Sequence, residues 1–248
     1  MLEKILIAAP TAAVKNYCIE KWLLNINEFK YPDFELVLVD NTLDKGENVA
    51  YLQLLSECLG LKYDVTVMGV KSRKAAGLIE RMCESHNLCR QIAIESNYTH
   101  WLHLETDIFP PDNVIEQLLC NRKKVCGGLY YRDQGKSRKL MAQRTIFRAH
   151  NNAFAMNFTP TDDAWFIDGT VKKIAHIGLG CVLLSKQVFS EIPFRFKTGS
   201  DASVDSWFMA DCKKNGVDIF ADTSIICRHE DSAQVWSDIV VEKIVSNG

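Results

Sequence analysis

Trp101-Leu102-His103-Leu104-Glu105-Thr106-Asp107-Ile108-Phe109-Pro110-Pro111 is an apolar run that leads into two carboxylates at i and i+2 and stops at a Pro-Pro pair. Such a run describes a strand whose carboxyl end carries acidic groups. Open α/β sheets bind ligands beyond the carboxyl ends of their strands, and acidic oxygens there can hold a hard divalent cation against a diphosphate. Asp107 is therefore the first candidate metal ligand.

Outward from this strand, which spans 99–104, strand and helix signals alternate. Residues 5–9 form a buried-strand run, 14–26 have helical spacing, 35–39 form a strand ending at Asp40, and 49–59 are helical. A third strand covers 64–68, a long helix covers 72–96, and Asp112 caps a further helix to about residue 121. The alternation predicts a mostly parallel sheet with helices on both faces. The second half differs: 124–131 is a strand through Gly127-Gly128, 132–170 is polar and irregular, and 176–184 is a glycine-containing strand. A helix over 203–215 stops at Gly216, strands follow at 217–220 and 224–227, and a terminal helix starts near Asp231. An irregular segment as long as 132–170 inside a domain is usually functional or mobile.

With 248 residues and 47% hydrophobic content the chain can bury a large core as one domain. A formal charge of -2 excludes a global pull toward nucleic acid or anionic membrane. The local basic run of Lys136, Arg138, Lys139, Arg144 and Arg148 reads first as a solvated loop. Nine cysteines without a C-x-x-C pair read as reduced core thiols, and so as a cytoplasmic chain. The amino terminus reads as a first strand rather than a signal peptide. No stretch reaches the roughly 18 unbroken apolar residues of a membrane span.

Several side chains stand out on this frame. Asp40 closes the second strand, where it reaches a ligand across the sheet edge or makes an Asp-Asn turn with Asn41. Asn87 and Arg90 share a helix face. Gly178 and Gly180 permit close backbone approach or relieve a twisted strand. Asp205 falls in the first turn of its helix if Ser203 caps it, and the helix dipole favours a negative charge there. Val204, Trp207, Phe208 and Cys212 are that helix's apolar face. His100 and His103 point to opposite faces of a strand and make no metal pair.

The order of five segments carries a resemblance. They are 5–11 (Ile-Leu-Ile-Ala-Ala-Pro-Thr) with Tyr17 following; Tyr31-Pro32 leading to 36–41; 86–90 before Glu105-Thr106-Asp107 and Pro110-Pro111; 177–181 (Ile-Gly-Leu-Gly-Cys); and 204–208 through Gly216 to Asp222 and His229. From about residue 4 to residue 230 the chain resembles nucleotide-sugar-dependent glycosyltransferases of the GT-A fold, in particular small family-2-like members from microbes and their viruses. Glu105-Thr106-Asp107 stands where that family has Asp-x-Asp, Val204-Asp205 where it has Glu-Asp, and His86-Asn87 where it has Arg-Asn, so that Arg81 or Arg90 would have to supply the arginine.

The resemblance implies a single Rossmann-like GT-A domain with a mostly parallel sheet, helices on both faces and a small antiparallel acceptor-side portion. Residues 1–123 would form the nucleotide-sugar half, and 124–248 the acceptor and catalytic half. It implies a donor site from Pro10, Thr11, Asp40, Asn41, Arg81, Asn87, Arg90, Glu105, Thr106, Gly178 and Gly180, and a metal site from Asp107, His229 and Glu105. A carboxylate with an imidazole puts Mn²⁺ ahead of Mg²⁺. The implied donor is a nucleoside-diphosphate sugar, UDP-sugar first, and Asp205 would be the general base of an inverting transfer. The acceptor is not named by any motif; glycan, small molecule, protein and modified nucleobase all stay open. Retaining transfer, nucleotidyl transfer to a sugar phosphate and an inactive nucleotide-sugar binder are the alternatives. Nucleotidyl transfer would call for a glycine-rich basic loop where Pro10-Thr11-Ala12-Ala13 stands.

Overall fold

The apolar run after Lys4 forms β1 (Ile5–Thr11), and its alternate side chains divide between two cores. Leu6 and Ala8 pack with residues of α3 (Leu78–Glu95), α5 (Lys186–Glu191) and α6 (Val204–Lys214). Ile5 and Ile7 pack with α1 (Asn16–Asn27), α2 (Glu47–Cys58) and α4 (Val114–Cys120). A strand covered on both faces must be apolar at successive positions, which is why β1 lacks polar alternation. The computed structural model describes residues 2–44, 46–70, 77–134, 137–143, 146–148, 154–156, 166–198 and 202–230, with the backbone path alone at 133–134, 137–138, 146–148 and 154–156.

β1 pairs in parallel with β2 (Phe34–Asp40), which sets Thr11 opposite Asp40, and β2 pairs in parallel with the edge strand β3 (Val65–Gly69). On its other side β1 is parallel to β4 (His100–Leu104). β14 (Cys181–Ser185) runs antiparallel between β4 and β6 (Val125–Leu129). β15 (Ile219–Ile226) lies parallel to β6, and β12 (Val171–Ile174) closes that edge antiparallel. The order β3-β2-β1-β4-β14-β6-β15-β12 is thus parallel through the first half of the chain and mixed in the second.

Four sequence expectations need correction. The irregular stretch 132–170 contains short antiparallel ribbons: β7 (Tyr131–Gln134) pairs with β8 (Ser137–Leu140), and β10 (Ile146–Arg148) with β11 (Phe154–Met156). The strand expected over 176–184 is two, β13 (His176–Ile177) on β9 (Ala142–Gln143) and β14, because the chain turns at Gly178-Leu179-Gly180. The two strands expected over 217–227 are the single β15, whose register shifts between Asp222 and Ile226. Asp112 does not cap α4: Asn113 holds the cap position without a side-chain bond, and Asp112 pairs with Lys30 at 3.0 Å. The helix expected from 72 begins at Leu78, with 71–76 outside the described residues. The terminal helix from Asp231 and most of the basic run 136–148 also lie outside them. Seven cysteines are buried and two, Cys58 and Cys120, are exposed. Among the described residues no helix is long and apolar enough to cross a membrane.

Candidate active site

Beyond the carboxyl end of β4 the chain turns tightly, with the Ile108 amide donating to the Glu105 carbonyl at 3.0 Å, and then forms β5 (Ile108–Phe109). β5 pairs antiparallel with β16 (Arg228–His229), which sets His229 opposite Ile108. This pairing brings a residue from the far end of the described chain onto Asp107: His229 Nε2 lies 3.3 Å from Asp107 Oδ2. The other imidazole nitrogen, Nδ1, donates to the Tyr131 carbonyl at 2.9 Å, which fixes the ring orientation. The next residue is tied to α1, since Tyr17 donates to the Glu230 carbonyl at 2.7 Å and Lys21 pairs with the Glu230 carboxylate at 2.7 Å.

Asp107 is 1% exposed, and a second cation reaches it. Lys15, in the 3-10 turn (Ala13–Lys15) between β1 and α1, places its ammonium on the same Oδ2. Burial alone would raise the Asp107 carboxyl, but its bonds to His229 and Lys15 outweigh burial and lower it. Burial alone would lower Lys15 and His229, and in both Asp107 reverses the sign and raises the net value. Glu105 moves the other way: burial, reinforced by the Asp107 charge, pushes it up to about 7. Asp107 Oδ1 is buried without a hydrogen-bond partner among the described residues.

Asp107 opens onto a cavity of about 300 Å³ that also meets Lys15, Glu105, Arg132, Asp205 and His229. Its wall on the helix side is His86 and Met82 from α3 with Ser203, Val204 and Asp205 from α6. Ser203 is the cap residue of α6, but its hydroxyl bonds the Ser206 hydroxyl at 2.9 Å rather than a backbone amide. Asp205 sits in the first turn, as its spacing implies, with its side chain lining the cavity. His86 stacks on the fully buried His103 at 5.0 Å between ring centres, with 9° between planes. Burial lowers both rings, and the neighbouring His86 lowers His103 further.

No protein-family model matches the chain, and no curated protein matches it in sequence. Solved structures do match its shape. TarS residues 1–349 from S. aureus, in complex with UDP-GlcNAc, aligns over 97% of this chain and 64% of its own with a TM-score of 0.56 and 13% identity. GalNAc-T7 with UDP, GalNAc and Mn²⁺ aligns over 95% of this chain and 45% of its own, with a TM-score of 0.60 and 14% identity. The mannosyltransferase PcManGT from Pyrobaculum calidifontis, in complex with GDP-Man and Mn²⁺, aligns over 100% of this chain and 66% of its own, with a TM-score of 0.59 and 13% identity. The fold is GT-A. The chain spans two thirds or less of the length of these three proteins.

Within this GT-A chain the expected site residues divide into those that meet and those that do not. Asp107, His229, Glu105 and Asp205 share the cavity. Thr11 and Thr106 touch each other through their hydroxyls at 3.2 Å at the ends of β1 and β4. Asp40, 2% exposed at the end of β2, accepts from the Thr42 hydroxyl at 2.7 Å and the Asn48 amide at 2.8 Å. Pro10 lies opposite Val39 in the β1–β2 register, and the amide of Asn41 donates to Thr11.

Three further groups of expected residues have other neighbours. Among the described residues no three His, Cys, Asp or Glu side chains are grouped to hold a metal, and Glu105 lines the same cavity as Asp107 and His229. Two carboxylates buried side by side repel, and it is Asp107 that makes the direct contacts to the imidazole and the ammonium, while Glu105 feels both cations from further off. Arg81, Asn87 and Arg90 do not line the cavity. Asn87 is spent on the backbone of Phe194, donating to its carbonyl at 2.9 Å and accepting from its amide at 3.0 Å, and Arg90 donates to the Ser190 carbonyl at 2.6 Å. Gly178 and Gly180 make room for Tyr130: a Cβ at Gly180 would lie 2.5 Å from its ring carbons, and one at Gly178 2.3 Å from its hydroxyl. Tyr130, Arg132 and Lys15 are wall residues that sequence reasoning did not single out. The run Gly-Leu-Gly was the available signal for a bulky neighbour such as Tyr130; for Lys15, which is 92 residues from Asp107, there was none.

Proposed function

We propose that this chain transfers a sugar from a nucleoside-diphosphate sugar to an acceptor hydroxyl, with a divalent cation at Asp107 and His229, inversion at the anomeric carbon, and Asp205 as general base. The observation that carries this reading is the cavity beyond the end of β4, where Asp107, His229 and Asp205 meet on a GT-A sheet. Structural neighbours bind UDP-GlcNAc, UDP and GDP-Man, two of them with Mn²⁺, which supports a nucleotide-sugar donor and a divalent cation here.

The donor atoms fit a metal. Asp107 offers a buried oxygen without a partner among the described residues, and the Nδ1–Tyr131 bond leaves Nε2 of a neutral His229 as a lone pair toward Asp107. Two protein ligands leave the remaining positions to diphosphate oxygens and water, and the carboxylate-imidazole pair favours Mn²⁺ over Mg²⁺. When bound, the cation would supply stabilisation of negative charge on the leaving diphosphate.

The protein's own residues do the rest. Asp40, Asn41, Pro10, Thr11 and Thr106, at the adjoining ends of β1, β2 and β4, form the floor for the nucleoside, UDP first. Arg132 adds a cation to the cavity wall. Asp205 accepts the proton of the acceptor hydroxyl as its oxygen attacks the sugar carbon from the face opposite the diphosphate. Residues 1–123 supply most of the donor side, and 124–248 supply the acceptor side and the base together with His229 and Arg132.

A panel of UDP- and GDP-sugars, each with Mn²⁺ or Mg²⁺, is scored by thermal shift and by slow donor hydrolysis. Stabilisation by one nucleotide series, dependent on metal and abolished in Asp107→Asn with the fold of the free variant retained by circular dichroism, is the expected result. No stabilisation by any nucleotide with either metal would overturn the reading.

A further inference from the structure

Lys15 carries the inference furthest. Its ammonium sits on the Asp107 oxygen that also faces His229, so the buried carboxylate is neutralised from within the chain. The partners differ in freedom: the Asp107 side chain is 1% exposed and the Lys15 side chain 35%. Lys15 reaches the site from the 3-10 turn that follows β1, on a four-carbon stem that can swing without moving the sheet.

The charges around the cavity make this contact consequential. Three carboxylates, Glu105, Asp107 and Asp205, face two permanent cations, Lys15 and Arg132. A nucleoside diphosphate would bring further negative charge into this space and needs cations to meet it. A divalent cation bridging Asp107 and His229 Nε2 would sit against Oδ2, the oxygen that Lys15 holds, and like charges so close repel strongly where water is excluded. Whatever cation takes Asp107 must therefore displace Lys15, and the released ammonium is left beside the only new anion in the cavity.

Resting on the metal-dependent reading above, we propose that Lys15 is an exchangeable counter-ion: it holds Asp107 in the ligand-free protein, yields that carboxylate to the divalent cation, and passes to the donor diphosphate. Lys15 then acts twice with opposite signs, weakening the binding of metal alone and strengthening the binding of nucleotide once metal is present. A fixed structural ion pair would do neither.

The test measures binding rather than turnover. Mn²⁺ alone is titrated by calorimetry into wild type, Lys15→Met, Lys15→Gln and the double variant Lys15→Met/Asp107→Asn, with circular dichroism confirming the fold of each. UDP and GDP are then titrated in saturating Mn²⁺. Both single variants are expected to bind Mn²⁺ alone at least tenfold more tightly than wild type, to lose that gain when Asp107 is replaced, and to bind the preferred nucleotide at least tenfold more weakly. Equal Mn²⁺ affinity in wild type and both variants, or unchanged nucleotide affinity, overturns the exchange and leaves the proposed function standing. Absence of Mn²⁺ binding in every protein, with or without nucleotide, overturns both.

Discussion

Asp205 owes its place to two things that a single residue can test: a helix start that aims it at the cavity, and a carboxylate that can take a proton. If it is the base, Asp205→Asn keeps donor affinity and melting temperature near wild type and lowers turnover by about 10² to 10⁴. A charge that only complements the helix dipole would cost a few tenths of a kcal/mol, about 0.3, and leave turnover nearly intact. Steady-state rates beside nucleotide titration separate the two. A product of retained anomeric configuration, read by NMR with the wild-type protein, would defeat the inverting scheme whatever the variant does. The second single-residue case is Gly180, where an added Cβ would meet Tyr130 ring carbons at 2.5 Å. Tyr130 is 5% exposed and its hydroxyl accepts from the Gly180 amide at 3.2 Å, so it has little room to retreat. Gly180→Ala should cost about 1 to 3 kcal/mol in urea unfolding, the usual range for overpacking. An unchanged midpoint would show that the Tyr130 ring is free to move.

Elements are joined around the cavity by one aromatic column. Asn87 on α3 clasps the backbone of Phe194 in two directions, Phe194 stacks on Phe208 of α6 at 4.3 Å with 11° between planes, and α6 carries Asp205. The same Phe194 ring lies 4.9 Å from His86. Asn87 therefore positions the helix that bears the candidate base, whereas its resemblance to a family motif implied a contact with donor. The two readings part in a single variant. Asn87→Ala should lower stability by about 1 to 3 kcal/mol, the cost of buried backbone groups left unpaired, and should lower turnover while the dissociation constant for UDP or GDP in Mn²⁺ stays within a factor of two or so of wild type. A loss of nucleotide affinity with stability intact would restore the donor contact.

For the whole molecule, buried histidines contribute to the loss of stability in acid. Burial lowers His86 and His103 in the fold, while the unfolded chain takes up protons near pH 6.5. A lowered folded value means the stabilisation is present above the unfolded value and is lost as pH falls. Each ring can therefore remove up to about 1.4 kcal/mol per pH unit below pH 6.5. His229 and Glu105 have the opposite sign, since both are raised in the fold. The His103 share is isolated by difference: between pH 6.5 and 5.5 the unfolding free energy of wild type should fall relative to that of His103→Gln by up to about 1.4 kcal/mol. A constant difference over that range in urea titrations would mean that His103 is protonated inside the fold.

What the chain's sequence determined by itself was most of the short-range periodicity of its first half and a few positions in its second. The β-α alternation, the sheet with helices on both faces, Asp107 beyond the end of β4 and Asp205 in the first turn of α6 all follow from apolar spacing and stop signals within a few residues of each position. The fold class was legible for that reason. Tertiary structure alone decided what Asp107 touches. Lys15 reaches it from 92 residues away through the turn after β1, and His229 from 122 residues away through the β5–β16 pairing. It also turned Asn87 to Phe194 and filled the space at Gly178 and Gly180 with Tyr130. Backbone periodicity is a local property that any window of sequence carries, whereas the partner of a buried charge is chosen by which strand ends the sheet order brings together, and by the cost of leaving that charge alone.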